Sequence, residues 1–153
     1  MPPLSYRKCV VAVICRDDGQ VLAGLRRDAN SWQLPQGGVE KGEEYLAALH
    51  REVREETGLE HLLVLDENPN LLQYDFPASL TAKVAKEYRG QAQKWFLCRT
   101  QEGVALDISL ADEQEFIDLR WIEPDILLRE IVSWKRDVYR EGLAYFKLLK
   151  NPK

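Results

Sequence analysis

The chain is 153 residues long, 45% hydrophobic and 30% charged, with a net charge of −4. A chain of that length can bury roughly 70% of its unfolded surface around one core, and the balance excludes a disordered or low-complexity protein. The acidic sum argues against a broad basic field for nucleic acid, and no apolar run approaches the ~20 residues of a bilayer span.

The first residues, Met1 to Lys8, show no charged-then-apolar leader, so a cytoplasmic location is expected. Lys8–Cys15 is β-branched and apolar and reads as a largely buried strand. Asp18-Gly19 supplies a hairpin turn, after which Val21–Arg26 returns as a second strand. Residues 27–42 form a polar loop marked by Pro35 and the Gly37-Gly38 pair. A helix is predicted from about Glu43 to Thr57, with Gly58 as its C-terminal cap.

Beyond it, His61–Leu65 and Leu71–Tyr74 read as strands, and Pro77–Arg89 as a loop with several basic residues. Gln93–Thr100 and Phe116–Ile122 are further strands, Pro124 starts a short helix, and Lys135–Lys150 is a terminal amphipathic helix. Cys9 and Cys15 share one strand face roughly 20 Å apart, at ~3.3 Å per residue, which is beyond disulfide reach. With Cys98 in a separate apolar run, all three are expected as buried, reduced thiols. Residues 1–153 thus read as one domain of the α+β class.

The stretch with chemical content is Gly37 to Leu59. On a helix, Glu52, Glu55 and Glu56 fall on one side at i, i+3 and i+4, while Leu46, Leu49 and Val53 form an apolar stripe about a quarter turn away. Such a helix buries the stripe and holds the acids at the edge of a cleft. Like charges at this spacing weaken a helix by roughly 0.2–0.5 kcal/mol per pair, relieved in part by Arg51, four residues before Glu55, and by Arg54. Taken alone, the pattern also fits a solvated, salt-bridged face. Clustered carboxylates suit hard cations such as Mg²⁺ or Mn²⁺, which take oxygen ligands and bind substrate phosphates. Neither His50 nor His61 sits where a catalytic imidazole is needed, and both are expected on the surface or in packing roles.

These same residues carry a family resemblance. Gly37, Glu43, Arg51, Glu52, Glu55, Glu56 and Gly58, with Val53 and Leu59 at the aliphatic places, resemble the Nudix box, G-x5-E-x7-R-E-U-x-E-E-x-G-U. The resemblance implies a Nudix-type α/β/α sandwich with a mixed central sheet, in which Glu52, Glu55 and Glu56 ligate Mg²⁺, with Mn²⁺ as the other candidate. It further implies that Glu56 or a nearby acid activates water, that Arg51 orients a carboxylate, and that Glu43 braces the loop.

Outside the box, Tyr6-Arg7, Ser31–Gly38, Gly90–Phe96, Glu115-Phe116 and Ser133–Tyr139 resemble one branch of the family. That branch holds bacterial RNA 5′-pyrophosphohydrolases and the dinucleoside polyphosphate hydrolases of bacteria and plants. It implies a further metal ligand at Glu115, with Glu113 as the substitute if the register shifts. Arg7, Arg26 and Lys94 are candidate phosphate contacts, since Arg and Lys supply the charge-assisted bonds that polyphosphates take. Trp134 is a candidate to stack on the first base of an RNA and Tyr74 on an adenine, although both residue types are common in cores.

The implied activity is a metal-dependent pyrophosphohydrolase. Its substrates would be 5′-triphosphate RNA ends, dinucleoside polyphosphates such as diadenosine tetraphosphate, or both, with no membrane and no stable protein partner. The alternatives are a house-cleaning nucleoside di- or triphosphate hydrolase and, in a different class, a catalytically silent nucleotide-binding module.

Overall fold

The computed structural model describes residues 3–151. Met1 and Pro2 of the leader reading, and Pro152 and Lys153 of the domain reading, therefore lie outside the described residues. Strands β1 (Tyr6–Ile14) and β2 (Val21–Arg26) come first, followed by the short strands β3 (Trp32–Gln33) and β4 (Gln36–Gly38). Helix α1 (Tyr45–Thr57) carries the acidic segment. Then come β5 (Leu63–Glu67), β6 (Leu72–Asp75), a short α2 (Lys83–Glu87) and the long β7 (Gly90–Arg99). Strand β8 (Phe116–Ile122) and helices α3 (Pro124–Glu130) and α4 (Arg136–Tyr145) complete the order.

All the predicted strands form, with ends displaced by a few residues, but their partners differ from the simplest reading. The Asp18-Gly19 turn closes through Arg16 N–H to the Gln20 carbonyl at 2.9 Å, with Gly19 at φ 84°. Only Cys15 and Val21 pair across it. Both edges of β1 are already taken, by β4 antiparallel and by β7 parallel, so β2 departs into a second sheet of order β3-β2-β8. The outer edge of β7 is shared by β6 along Gly90–Gln93 and by β5 along Phe96–Arg99.

Alternation on β1 builds both halves of the core. Val11 and Val13 face the layer containing Leu127, Tyr139 and Leu143 of α3 and α4. Val10, Ala12 and Ile14 face Ala48, Leu49 and Val53 of α1. Burial on both faces is why this strand reads as a continuous apolar run. The result is helices on both sides of a mixed sheet, an α+β domain of α/β/α layering. Cys9, Cys15 and Cys98 are all buried free thiols, and burial pushes the Cys98 thiol up to about 12. Among the described residues, no helix is long and apolar enough to cross a membrane.

Four element readings need correction. Residues 27–42 are not all loop, since β3 and β4 form there by pairing with the free edges of β2 and β1. The acidic helix starts at Tyr45 rather than Glu43, because the Glu43 carboxylate is held by Arg51 and Glu44 is extended at φ −73°, ψ 150°. The span Pro77–Arg89 is not all loop, since it contains α2. The terminal helix stops at Tyr145 instead of Lys150, where Lys147 turns to φ 60° and Leu148 N–H bonds to the Leu143 carbonyl at 3.1 Å. Leu46 also leaves the apolar stripe of α1: it is 49% exposed, and Ala48 takes its place in the core.

Gly142 of α4 is buried against the Trp95 ring, which leaves no room for a Cβ. In an open helix, Gly→Ala gains roughly 1 kcal/mol. Here overpacking should dominate, so Gly142→Ala is expected to destabilise by about 1–3 kcal/mol. Urea midpoints measure this against Glu141→Ala, an exposed neighbour that should shift little, and an unchanged or raised midpoint for Gly142→Ala would refute the packing argument.

Candidate active site

The site begins with the turn that enters α1. Arg51, midway along that helix, points its guanidinium back into the preceding loop. Its Nε donates to Glu43 Oε2 at 2.8 Å, and Nη2 donates to Glu43 Oε1 at 2.9 Å and to the Gly38 carbonyl at 2.8 Å. Nη1 donates to Glu52 Oε1 at 2.9 Å and to Glu55 Oε2 at 3.2 Å. Every face of the planar fork is therefore used. Glu43 also accepts the Glu40 N–H at 3.0 Å. The Arg51 guanidinium, then that N–H, hold the Glu43 carboxyl down at about 2.

Around this hub five carboxylates gather. Glu52, Glu55 and Glu113 each offer an oxygen, all within 4.8 Å of one another. Glu113 is brought in by its backbone N–H, which donates to the Glu55 carbonyl at 2.9 Å. Glu56 is fully buried beside Glu115, and its Oε1 accepts the Gln36 N–H at 2.8 Å. Glu115 is anchored in turn through its carbonyl to Arg27 N–H at 2.9 Å. The two acids left open as the distal ligand thus both reach α1, at different points.

Burial is the main force on these groups. It lifts the Glu52 carboxyl to about 7, against the pull of Arg51. It raises Glu56 well above the usual carboxylate range, with Glu115 adding to the rise. Glu113 is raised as well, by burial and then by Glu115 and Glu55. Among the described residues, Glu56 Oε2 is buried without a partner. The backbone at Gly37 passes so close to the Glu52 carboxyl that any Cβ would collide with it. Clustered acids, an unpartnered buried oxygen and a loop that admits only glycine fit a hard divalent cation with oxygen ligands.

Next to the acids lies a cavity of about 230 Å³. Arg7, Arg26, Tyr74, Trp134 and Glu115, all singled out in the sequence, line it. Tyr74, Phe76 and Trp134 form an aromatic wall, with the Tyr74 and Trp134 centroids 5.5 Å apart. Arg26 reaches the cavity with its fork already paired to Asp28, both bonds at 2.8 Å. Lys94 is not brought there. Alternation along β7 sends it to the α1 face, where its ammonium meets the Asn68 carbonyl at 2.8 Å and Glu67 at 3.3 Å.

Gln91 and Lys135 are among the lining residues that the sequence did not single out. Gln91 projects from the cavity face of β7, where the polar alternation Gln91, Gln93 was the available signal. Lys135 is 8% exposed, and its ammonium donates to Gln33 Oε1 at 3.0 Å. Burial, and then Arg26, bring it down to about 8. No local pattern marks Lys135, because its neighbours arrive from β2 and β3. His50 and His61 are exposed and take no part.

The chain as a whole is similar to known proteins. Residues 5–142 match the NUDIX domain model, and the chain belongs to the Nudix family. It is a Nudix hydrolase, an enzyme of phosphorus-containing acid anhydrides, and Nudix hydrolases generally use divalent metals. The RNA pyrophosphohydrolase of Roseobacter denitrificans is 48% identical over 150 residues, covering 94% of this chain and 93% of that protein. Nudix hydrolase 25 of Arabidopsis thaliana is 37% identical, covering 95% and 88%. A C. elegans Ap4A hydrolase structure superposes with a TM-score of 0.67 at 20% identity, over 92% of this chain and 98% of that one, which speaks to the fold.

Glu43 offers a pH test of the hub. Its folded value lies below the ordinary carboxylate range, so its contribution is complete above about 4.5 and fades as pH falls toward 2. Glu43→Gln should therefore be less stable than wild type at pH 6, with the gap narrowing at pH 3. Urea midpoints at the two pH values decide it, and a gap that stays constant or widens would show that Arg51 does not hold this carboxylate.

Proposed function

We propose that the protein is a divalent-metal-dependent pyrophosphohydrolase of 5′-triphosphorylated RNA ends, acting in the cytoplasm. The observation that carries this reading is the adjoining of the buried Glu56, one oxygen unpartnered, to a cavity lined by Arg7, Arg26 and Lys135. The names of the relatives at 48% and 42% identity, both RNA pyrophosphohydrolases, support RNA as the substrate class.

In this reading Glu52, Glu55, Glu56 and Glu115 hold Mg²⁺, or Mn²⁺ in its place, and Glu113 completes the acid set. The metal, when bound, neutralises phosphate charge and favours ionisation of water. The residues of the chain do the rest. Arg7 and Lys135 take the non-bridging oxygens of the phosphate chain. In its ionised form, which a neighbouring cation would favour, Glu56, its Oε1 held by the Gln36 N–H, directs Oε2 at the attacking water and takes its proton. The water oxygen forms the new P–O bond, and the anhydride P–O bond breaks with its electron pair on the leaving phosphate oxygen. Arg51 and Glu43 position the acids and touch no substrate. Trp134 and Tyr74 offer ring faces to a base, a contact worth about 1–3 kcal/mol.

A second reading, cleavage of dinucleoside polyphosphates such as diadenosine tetraphosphate, is favoured by the Tyr74-Phe76-Trp134 wall, which suits any purine. Separation of products by HPLC distinguishes the two. With Mg²⁺, a 5′-triphosphorylated oligoribonucleotide should lose pyrophosphate, and Glu56→Gln should lower the rate at least about 100-fold with the fold intact. Residual activity within tenfold of wild type would remove Glu56 from its assigned role. Trp134→Ala should slow RNA processing more than dinucleotide cleavage, and equal losses would count against stacking at that ring.

A further inference from the structure

The cavity wall contains a chain of buried side-chain amides with a defined direction. On one face of β7, Trp95 Nε1–H donates to Gln93 Oε1 at 3.1 Å, and Gln93 Nε2 donates to Gln91 Oε1 at 3.1 Å. Tyr74, directly opposite Gln91 on β6, donates its hydroxyl to the same Gln91 oxygen at 2.7 Å. Gln91 and Gln93 are 5% and 2% exposed, and Trp95 is fully buried. Among the described residues, Gln91 Nε2 donates to no protein atom, while Gln91 itself lines the cavity.

An indole nitrogen can only donate, whereas an amide can be turned round to exchange donor and acceptor, and a hydroxyl can do either. Trp95 is thus the one member of the chain whose direction is fixed by its chemistry. It requires Gln93 to present oxygen to it, which leaves Gln93 its NH₂ for Gln91, which then must accept. Both lone pairs of Gln91 Oε1 are occupied by Gln93 and Tyr74, so its NH₂ is the group left for the cavity. On the neighbouring strand Arg7 stands opposite Gln91 in register and lines the same cavity. Two donor groups side by side suit an anionic oxygen.

We propose that Trp95, out of reach of substrate, is a positioning residue that locks the Gln91 amide, through Gln93, as a hydrogen-bond donor to a substrate phosphate oxygen. Without the indole N–H the whole chain could run the other way, and Gln91 would show its carbonyl oxygen to the phosphates and repel them. This inference rests on reading the cavity as the polyphosphate site.

The test uses the full chain and two measurements. One is calorimetric binding, with Mg²⁺ in excess, of a methylene-bridged triphosphate, which has no base and is not cleaved at its bridges. The other is the pair KM and kcat on a 5′-triphosphorylated oligoribonucleotide. Gln91→Met, which keeps the shape and removes the donor, and Trp95→Phe, which removes the fixed N–H, should each raise Kd roughly three- to tenfold. KM should rise by the same factor, with kcat changed less than about twofold. Gln93→Met breaks the relay without altering the Trp95 ring and should match Trp95→Phe, so poor folding of the latter leaves the test intact.

In the Gln91→Met/Trp95→Phe double variant, the effect of Trp95→Phe on Kd should disappear, since no amide remains to be oriented. A full additive effect there would make Trp95 merely structural and overturn the proposal, as would unchanged binding by Gln91→Met or Gln93→Met. A higher KM with an unchanged Kd for the base-free analogue would move the contact to the base and overturn the phosphate assignment. A wild-type chain that fails to bind the analogue would overturn the cavity as a phosphate site. One that binds it but hydrolyses no substrate would count against the enzymatic reading alone, with the relay upheld by the binding arm.

Discussion

Arg51 joins the loop before α1 to the acids on it, and most of the site's geometry follows from that one guanidinium. Three carboxylate oxygens held within 4.8 Å repel one another. At an effective dielectric constant near 20, each ionised pair costs about 3 kcal/mol, far above the few tenths estimated for an exposed helix face. A single planar cation with five N–H donors can reach Glu43, Glu52 and Glu55 and still bond the Gly38 carbonyl. Lysine, with a point charge and three donors, could not span the loop and both helix acids at once. The pairing therefore does two jobs: it lowers the cost of the acid cluster, and it pins the glycine loop on which Glu52 rests.

What Arg51 does not relieve is equally informative. Glu56 lies deeper, beside Glu115, with one oxygen on the Gln36 N–H and the other unpartnered. A buried acid left half-satisfied is costly, and folding alone offers no reason to keep it. The cavity beyond is lined by Arg7, Arg26 and Lys135, which supplies cationic surface that the chain as a whole, at −4, lacks. Acidic and basic groups are segregated over a short distance, one set suited to cations and the other to phosphates, and the local field of the site departs from the net charge.

The acids of α1 were legible because a helix imposes one period on a continuous segment: Glu52, Glu55 and Glu56 at i, i+3 and i+4 must share a side. Gly58 was legible for a related reason, since a helix ending in the left-handed region favours glycine, and it does so here at φ 79°. Leu46 fits the apolar period yet is exposed, while Ala48 is buried, since the period marks a side of the helix but not how much of that side the rest of the fold covers. Lys94 lies in a segment that matches the family's branch. One residue of strand alternation nonetheless turns it to the opposite face from Gln93 and Trp95. Residue type and spacing could propose it as a phosphate contact, but they carry no information on which face of β7 meets the cavity.

By itself, then, the sequence determined the local periodic structure, the family, and the carboxylate set on one helix, because each depends on residues close together in the chain. Tertiary structure alone decided that β1 and β2 part into different sheets, that Glu113 and Glu115 both reach α1, and that Lys135 is buried against Gln33. It also decided the direction of the amide chain from Trp95 to Gln91. Apart from the amide chain, whose links join residues two apart on β7 and which only packing closes off from water, these are contacts between segments tens of residues apart. Their geometry is set by which strand edges are free, which faces are covered, and which donors remain after packing.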